Sequence, residues 1–417
     1  MASRLGWDSS GSLRFVVIGS PIGRPVLSRT MKHDRSSMRC TGRPSLRPTR
    51  TAAATRPCPM RNPGGRARGA TMPAMAHEER FDDLLTSLIG FYRTWIVALG
   101  LELGCFAALR RAGDEGLDAE ALAAAVDASA PHIRSWLTAA DAHDLVEFDG
   151  RRARLPEPTA IVLLDEARPE YLGGQFIHGT LASLDWDRLA EVFRTGIPVR
   201  ERPDRYRASI ERLTLQDVAV FFEEALAALP ELVVDLQRGL RVADLHCGGA
   251  RWLIAVARRF PQTELVGVEA QPDSAARARQ NVAEAGLLDR ITIDEAEVAS
   301  IARRAGTFGL VYFQYALHEL ADPVGALRAG WEALAPGGWL VVLDWCEPST
   351  PEEYRSLHGQ LVAGIQLDQL LMGTRLRTVE EFLGFFEGAG LPAPEVIDLP
   401  SGATLVVGRK SARSAYP

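Results

Sequence analysis

The chain has 417 residues, of which 47% are hydrophobic and 24% charged, a composition typical of globular proteins with two or three domains. Its formal net charge of −6 is uneven, because residues 1–75 carry a net +12 and the remainder a net −18. An acidic body repels phosphate backbones, which argues against a nucleic-acid partner. No apolar run reaches the roughly 18 residues of a membrane span, so we predict no transmembrane helix and no membrane partner.

The cysteines are odd in number, widely spaced and without a CxxC pair; they are Cys40, Cys58, Cys105, Cys247 and Cys346. This pattern predicts reduced thiols in a cytoplasmic protein, with neither a disulfide framework nor a zinc site. No cluster of His, Asp and Glu has the spacing of metal ligands, so we predict no metal.

Residues 1–75 are rich in Arg, Ser, Pro, Gly and Thr and show no amphipathic period, which predicts a disordered tail. Such an Arg-rich leader is compatible with an organelle transit peptide or with a basic arm for nucleic acid or membrane. We favour a third interpretation, a start codon assigned too early, with Met72 or Met75 as the true start.

A mainly helical domain is predicted over residues 76–165. Apolar residues recur at helical spacing over 81–112, and their broad face predicts packing on a large surface such as a second subunit of a homodimer. Helices over 118–126 and 131–145, then a hairpin centred on Asp149-Gly150, form a winged-helix-like arrangement.

DNA binding by that region is an alternative, because winged helices often read DNA with their second helix. Here the second helix offers Arg134 against Asp141 and Asp144, although the wing carries Arg151, Arg152 and Arg154. A reading helix without clustered basic residues fits DNA poorly, so we prefer a dimerisation module.

Residues 166–237 are predicted as a helical connector, interleaved with aromatic residues, that caps a substrate site. From Arg241 onward strands and helices alternate, with strands ending near Leu245, Val268, Ile293, Gln314 and Asp344. This alternation predicts an α/β fold: a Rossmann-like, doubly wound, mostly parallel seven-stranded sheet over 238–410. Two late apolar runs, 394–399 and 404–409, predict an antiparallel hairpin at its edge, and 411–417 form a tail.

The segment 241–274 reads as strand, small-residue loop, helix and second strand, closing on Glu269. Glu269 follows Gly248 by 21 residues, close to the roughly 20 that nucleotide-binding units need. A loop of this kind lets the backbone approach an adenosine while the acid grips both ribose hydroxyls. The segment therefore predicts an adenosine-bearing cofactor.

Four motifs resemble those of class I S-adenosylmethionine-dependent methyltransferases: VADLHCGGA (242–250), LVGVEAQPDS (265–274), FGLVYFQYALHELADP (308–323) and ALAPGGWLVVLDW (333–345). A weaker match is RTVEEFLGFFEGAGL (377–391). With the winged-helix-like region in front, the chain resembles the dimeric small-molecule O-methyltransferases over most of residues 80–410. The resemblance implies S-adenosylmethionine as cofactor and a small, partly aromatic acceptor methylated on oxygen.

The resemblance also implies site residues. Glu269 would accept the ribose hydroxyls and Glu297 the adenine amino group beside Val298, with Asp294 and Glu295 as competitors for that role. The other expected cofactor contacts are Asp244, His246, Gly248, Ala270 and Gln314. His318 would act as general base, since a hydroxyl acceptor must lose its proton, and Glu319 would orient the imidazole. A structural role for His318 stays open.

The sequence departs from the family pattern at three places. His246 and Ala250 replace the first and third glycines of the cofactor loop, and Gly309 replaces the usual Asp of the fourth strand. An imidazole at 246 must either point away or fill space near the methionine end of the cofactor. Three alternatives therefore remain: a degenerate scaffold without transfer activity, a winged-helix regulator, and an enzyme that uses the cofactor for other chemistry.

Overall fold

The computed structural model of the chain describes residues 3–7, 13–17, 77–199 and 201–412. It divides the chain into two compact units, Met1–Pro73 and Ala74–Pro417. In the first unit β1 (Ser3–Trp7) pairs antiparallel with β2 (Leu13–Val17), where the sequence predicts disorder. Phe15, Val16 and Val17 are residue types that favour β-structure, in agreement with this local pairing. The rest of the predicted tail, with Met72 and Met75, lies outside the described residues, as do 413–417.

The second unit begins with four helices and a hairpin in the predicted order, followed by a fifth helix that the sequence analysis did not predict. They are α1 (His77–Glu102), α2 (Cys105–Ala112), α3 (Ala119–Ala125), α4 (Ala130–Ala142), β3 (Glu147–Phe148), β4 (Ala153–Arg154) and α5 (Glu157–Leu164). Gly104, at φ 76°, separates α1 from α2. Asp144, at φ 56°, turns the chain after α4, so this helix ends three residues before the predicted Leu145. Leu145 instead packs into the core of this region.

Helix α1 carries an exposed apolar face. Its C-terminal part is anchored, since Trp136 of α4 donates a hydrogen bond to the Ile96 carbonyl at 3.0 Å. Large apolar side chains elsewhere along it are 38–61% exposed: Phe81, Leu84, Leu85, Leu88, Ile89, Phe91, Tyr92, Trp95 and Leu99. By length and composition α1 alone, among the described residues, also meets the criteria for a membrane span. The expectation of no transmembrane helix stays a prediction, because a helix of this length and composition can also pack its apolar face on a partner.

A helical connector follows, and it packs on the domain behind it. It comprises α6 (Gly173–Ser183), α7 (Leu189–Thr195), α8 (Asp204–Val220), a π-helical turn (Phe221–Ala225), α9 (Leu226–Ala228) and α10 (Pro230–Arg238). The buried Arg202 guanidinium bridges Asp185 at 2.9 Å and Asp368 at 3.1 Å. Tyr206 of α8 donates to the same Asp368 carboxylate at 3.1 Å. These contacts fix the connector to a helix of the C-terminal domain.

The C-terminal domain is built on one seven-stranded sheet. Its strands are β5 (Arg241–Leu245), β6 (Glu264–Glu269), β7 (Ile291–Glu295), β8 (Phe308–Gln314), β9 (Leu334–Asp344), β10 (Glu395–Asp398) and β11 (Thr404–Arg409). Their order is β10-β11-β9-β8-β5-β6-β7; β5 to β9 are parallel, and β11 runs antiparallel to both neighbours. The predicted α/β fold with its C-terminal antiparallel hairpin is confirmed.

Helices cover both faces of the sheet and leave its strands buried. They are α11 (Arg251–Arg259), α12 (Pro272–Glu284), α13 (Pro323–Ala333), α14 (Pro351–Tyr354), α15 (Leu357–Met372) and α16 (Val379–Gly388). The interior runs of β5, β8 and β9 lie in two core clusters, one on each face. Packing explains the glycine at position 309, because a side chain there would overlap the side chain of Leu240. The Asp expected at this position is therefore excluded by the fold of this chain.

Candidate functional site

The strand order reverses between β5 and β8, which are neighbours in the sheet although β6 and β7 lie between them in sequence. In open parallel sheets ligands bind beyond the carboxyl ends of the strands at such a switch point. The segments that follow β5, β6, β8 and β9 carry the polar residues described below. We refer to this region as the carboxyl-end cleft.

The loop after β5 keeps a glycine-like backbone, although His246 and Ala250 stand where the family pattern has glycines. His246 has φ 66°, Gly248 φ 50° and Ala250 φ 59°, so every second residue is in the left-handed region. This region costs residues with a Cβ about 1–3 kcal/mol each, and such strain concentrates at functional sites. A Cβ at Gly248 would meet nothing within 4 Å, so the loop faces open space there. The substitutions at 246 and 250 have thus preserved the turn.

Glu269 holds this loop through both carboxylate oxygens. Its Oε2 accepts the backbone N–H of Gly248 at 3.0 Å, and its Oε1 accepts that of Gln271 at 2.8 Å. The side chain is only 1% exposed. A carboxylate can accept about four hydrogen bonds, so two sites remain on Glu269 after these contacts. Ala270 follows it, half-buried, at the end of β6.

The His246 imidazole stands between two acids. Its Nε2 lies 3.5 Å from Glu319 Oε2, and its Nδ1 lies 3.9 Å from Glu269 Oε2. Burial lowers the pKa of His246, but the hydrogen bond to Glu319 and the charge of Glu269 outweigh it and raise this pKa to about 9. Of the two outcomes expected for this side chain, filling space in the cleft is the one observed.

Asp244, at the end of β5, contributes an acceptor without a partner. Its buried Oδ1 makes no hydrogen bond among the described residues. Burial raises the pKa of Asp244 to about 8, against the opposing charge of His246. A buried polar atom left unsatisfied is costly, and a ligand group is one way to satisfy it.

Beyond β7 the structure separates the three acids that compete for the adenine role. Asp294 pairs with Arg304 at 2.6 Å, and Glu295 pairs with Arg279 at 2.9 Å. Glu297 is exposed and has no ion pair or side-chain hydrogen bond among the described residues. Val298 beside it is buried in the core cluster with Val268. Glu297 is therefore the acid of this loop that is free to accept a donor.

His318 and Asp344 form a buried dyad on the other side of the cleft. Nδ1 of His318 lies 2.9 Å from Asp344 Oδ1 and 3.0 Å from Oδ2. The Trp345 backbone N–H donates to Asp344 Oδ1 at 2.8 Å and helps to hold the carboxylate. Nε2 of His318 is buried without a hydrogen bond among the described residues. Burial lowers the pKa of His318, but Asp344 overcomes this effect and the pKa is raised.

Glu319 does not have the place expected for an orienting group. Its Oε1 lies 3.8 Å from Nε2 of His318, on the side away from the dyad, and its other oxygen faces His246. Burial would raise the pKa of Glu319, but the hydrogen bond from His246 and the charge of His318 lower it. The orientation of His318 comes from Asp344 instead.

Gln314 ends β8, and its Oε1 accepts the Tyr312 hydroxyl at 3.3 Å. Tyr315, the next residue, is held at φ 48°, a third strained non-glycine position at the switch point. Strain on both sides of the cleft, at β5 and at β8, marks it as the functional region of this domain.

Two acids of this region escaped the sequence reasoning. Asp344 could have been found, because it ends a buried strand just as Asp244 and Glu269 do. Asp217 lies on α8 of the connector, directly before the π-helical turn, and is buried close enough to Asp344 to feel its charge. Burial is the main cause that raises the pKa of Asp217 to about 8. Because Asp217 lies within a helix and outside the recognised motifs, the sequence did not mark it as a site residue.

Comparison with known sequences supports the assignment of this domain. A family profile described as a methyltransferase domain matches residues 242–338. Aclacinomycin 10-hydroxylase RdmB of Streptomyces purpurascens is 30% identical over 263 residues, which are 59% of this chain and 68% of that protein. A demethylmenaquinone methyltransferase of Lactiplantibacillus plantarum is 29% identical over 119 residues, or 28% of this chain. The match spans 50% of the length of that methyltransferase.

Solved structures share the fold at lower identity. PigF with SAH has a TM-score of 0.61 at 23% identity, covering 79% of this chain and 99% of PigF. Human N-acetylserotonin methyltransferase in complex with SAM has a TM-score of 0.61 at 19% identity, covering 82% of this chain and all of the other. The sheet order, the motif positions and the extended match to RdmB all indicate the same family. The chain therefore belongs to the class I S-adenosylmethionine-dependent methyltransferases.

Proposed function

We propose that the protein transfers a methyl group from S-adenosylmethionine to an oxygen of a small, partly aromatic acceptor. The observation that carries the proposal is the buried His318–Asp344 dyad, whose Nε2 has no hydrogen-bond partner among the described residues. Structural relatives named for small-molecule substrates, such as the mitomycin 7-O-methyltransferase MmcR, support the acceptor class.

The residues of the carboxyl-end cleft fit this cofactor. Glu269 would accept the ribose hydroxyls on its remaining acceptor sites, and Glu297, free of ion pairs among the described residues, would accept the adenine amino group. The unsatisfied Oδ1 of Asp244 and the open face of Gly248 lie on the same loop. When bound, S-adenosylmethionine supplies an electrophilic methyl group on a sulfonium centre.

The dyad would remove the proton of the acceptor. Asp344 accepts the Nδ1–H of His318, which leaves the Nε2 lone pair for a hydroxyl proton and stabilises the imidazolium that forms. With S-adenosylmethionine bound, the acceptor oxygen would take the methyl group as the carbon–sulfur bond breaks and S-adenosylhomocysteine leaves, and His318 would return the proton to solvent. Positioning of the acceptor in line with the methyl group supplies the rest of the acceleration.

A panel of phenolic acceptors incubated with cofactor and analysed by mass spectrometry tests this function. We expect one acceptor to gain a methyl group with equimolar S-adenosylhomocysteine, and His318→Gln to abolish most of that product. Product formed at the wild-type rate by His318→Gln would contradict the role of the dyad. A scaffold protein would methylate no acceptor of the panel.

A second candidate function is oxidation of the acceptor with the cofactor bound but not consumed. The similarity to a protein named aclacinomycin 10-hydroxylase favours it. The same panel, supplied with molecular oxygen and a thiol reductant, separates the two functions. A product heavier by one oxygen atom, without formation of S-adenosylhomocysteine, would identify the second function.

The region before the connector would be a winged-helix-like dimerisation module of a cytoplasmic enzyme. The exposed apolar face of α1 supports a second copy of the chain as its partner. Three basic side chains of this region are engaged within the protein: Arg134 pairs with Glu120 at 2.7 Å, and Arg152 and Arg154 donate to backbone carbonyls. Sedimentation equilibrium should give a dimer. A monomer that floats with lipid vesicles would instead favour a membrane partner for α1.

A further inference from the structure

His246 is unusual in both its backbone and its surroundings. It adopts φ 66°, a conformation that an L side chain rarely takes and that glycine takes freely. Its ring is nevertheless kept in the cleft, within 3.5 Å of Glu319 and 3.9 Å of Glu269. A glycine at this position would leave that space open, so the imidazole itself defines the cleft in the absence of ligand.

The charges around the ring explain why it stays there. Glu269 at the end of β6, Asp244 near the end of β5 and Glu319 in the turn after β8 all face it, and the described residues give His246 no cationic neighbour. Glu319 in turn faces His318 and hydrogen-bonds to Gln369 of α15. These acids raise the pKa of His246 to about 9, so the ring is cationic at neutral pH.

We propose that His246 is the resident cation of the cofactor site: its imidazolium occupies the place of the positively charged methionine end and must leave Glu319 before cofactor can bind. This inference rests on the proposed use of S-adenosylmethionine. Once withdrawn from both carboxylates, the ring has an ordinary pKa of about 6.5 and gives its proton to solvent at neutral pH. Cofactor binding is thereby coupled to the release of one proton.

The coupling predicts a pH dependence of affinity that a glycine loop would lack. Between about pH 6.5 and pH 8.5, the affinity of wild type for S-adenosylmethionine should rise by up to tenfold per pH unit. His246→Gln keeps the bulk of the side chain but cannot titrate, so its affinity should depend on pH much less than that of wild type, and only through Asp244, whose pKa is about 8. His246→Gly also suits the backbone, and at about pH 6.5 it should bind at least tenfold more tightly than wild type.

Isothermal titration calorimetry of the full chain with S-adenosylmethionine, in two buffers of different ionisation enthalpy, measures both affinity and proton release. His132→Gln, an exposed histidine on α4, is the matched control and should behave as wild type. A wild-type affinity that does not change with pH, or a dependence of undiminished slope in His246→Gln, would overturn the inference while leaving cofactor binding established. Absence of binding by every variant, including His246→Gly, would instead overturn the proposed function and this inference with it.

Discussion

The Glu269 carboxylate offers the sharpest test of how the cofactor loop is built. In Glu269→Gln one oxygen becomes an amide NH₂ that faces a backbone N–H, while the other still accepts as a neutral group. Hydrogen bonds to charged groups contribute about 1.5–3 kcal/mol and neutral ones about 0.5–1.5 kcal/mol. Because Glu269 is 1% exposed, solvent cannot replace the lost contact, and we expect roughly 3 kcal/mol of lost unfolding free energy.

Urea unfolding followed by tryptophan fluorescence, with and without S-adenosylhomocysteine, measures the stability of the variant and its stabilisation by ligand. A ligand at about 100 times its Kd stabilises the folded state by about 2.7 kcal/mol, and this gain should largely vanish in Glu269→Gln. Glu264→Gln, at the exposed opposite end of β6, removes only a surface pair with Arg241 and should cost less than about 1 kcal/mol. Equal stabilities and equal ligand responses in the two variants would refute this reasoning.

Four further changes probe the remaining parts of the account. His318→Gln should lower turnover by about 10²- to 10⁴-fold with unchanged S-adenosylhomocysteine affinity in calorimetry; unchanged turnover would remove its role as base. Asp344→Asn should lower the His318 pKa and move the acidic limb of the pH–rate profile to lower pH, and an unmoved limb would contradict the dyad. Because the folded-state pKa of Asp217 is raised to about 8, folding loses stability as pH rises from the ordinary Asp value through that pKa. In Asp217→Asn unfolding free energies should therefore fall less over this range, and parallel curves would disprove it. If the proposed dimer forms through α1, Leu88→Glu with Trp95→Glu should give a monomer in sedimentation, whereas a dimer in this variant would place the interface elsewhere.

Strand positions were predictable because buried parallel strands are continuous apolar runs with a defined end. The predicted ends at Leu245, Gln314 and Asp344 are those observed, and the two other strands extend one or two residues further, to Glu269 and Glu295. The extension occurs because backbone pairing with the neighbouring strand continues past the apolar run.

The site was less predictable, because its geometry depends on contacts between distant segments. The sequence marks His246 as a departure from glycine, but only the fold shows that its backbone still takes the glycine conformation. Likewise, Glu319 is adjacent to His318 in sequence, yet Asp344, 26 residues away, orients the ring. Asp217 reaches the region from the connector, a contact that no local pattern encodes.

A crystal structure of the protein with S-adenosylhomocysteine tests the central claim most directly. The account predicts the ribose hydroxyls within hydrogen-bonding distance of Glu269, with the adenine toward Glu297 and the His246 ring withdrawn from Glu319. Ligand bound elsewhere, or a cleft that stays closed by His246 at saturating ligand, would contradict it.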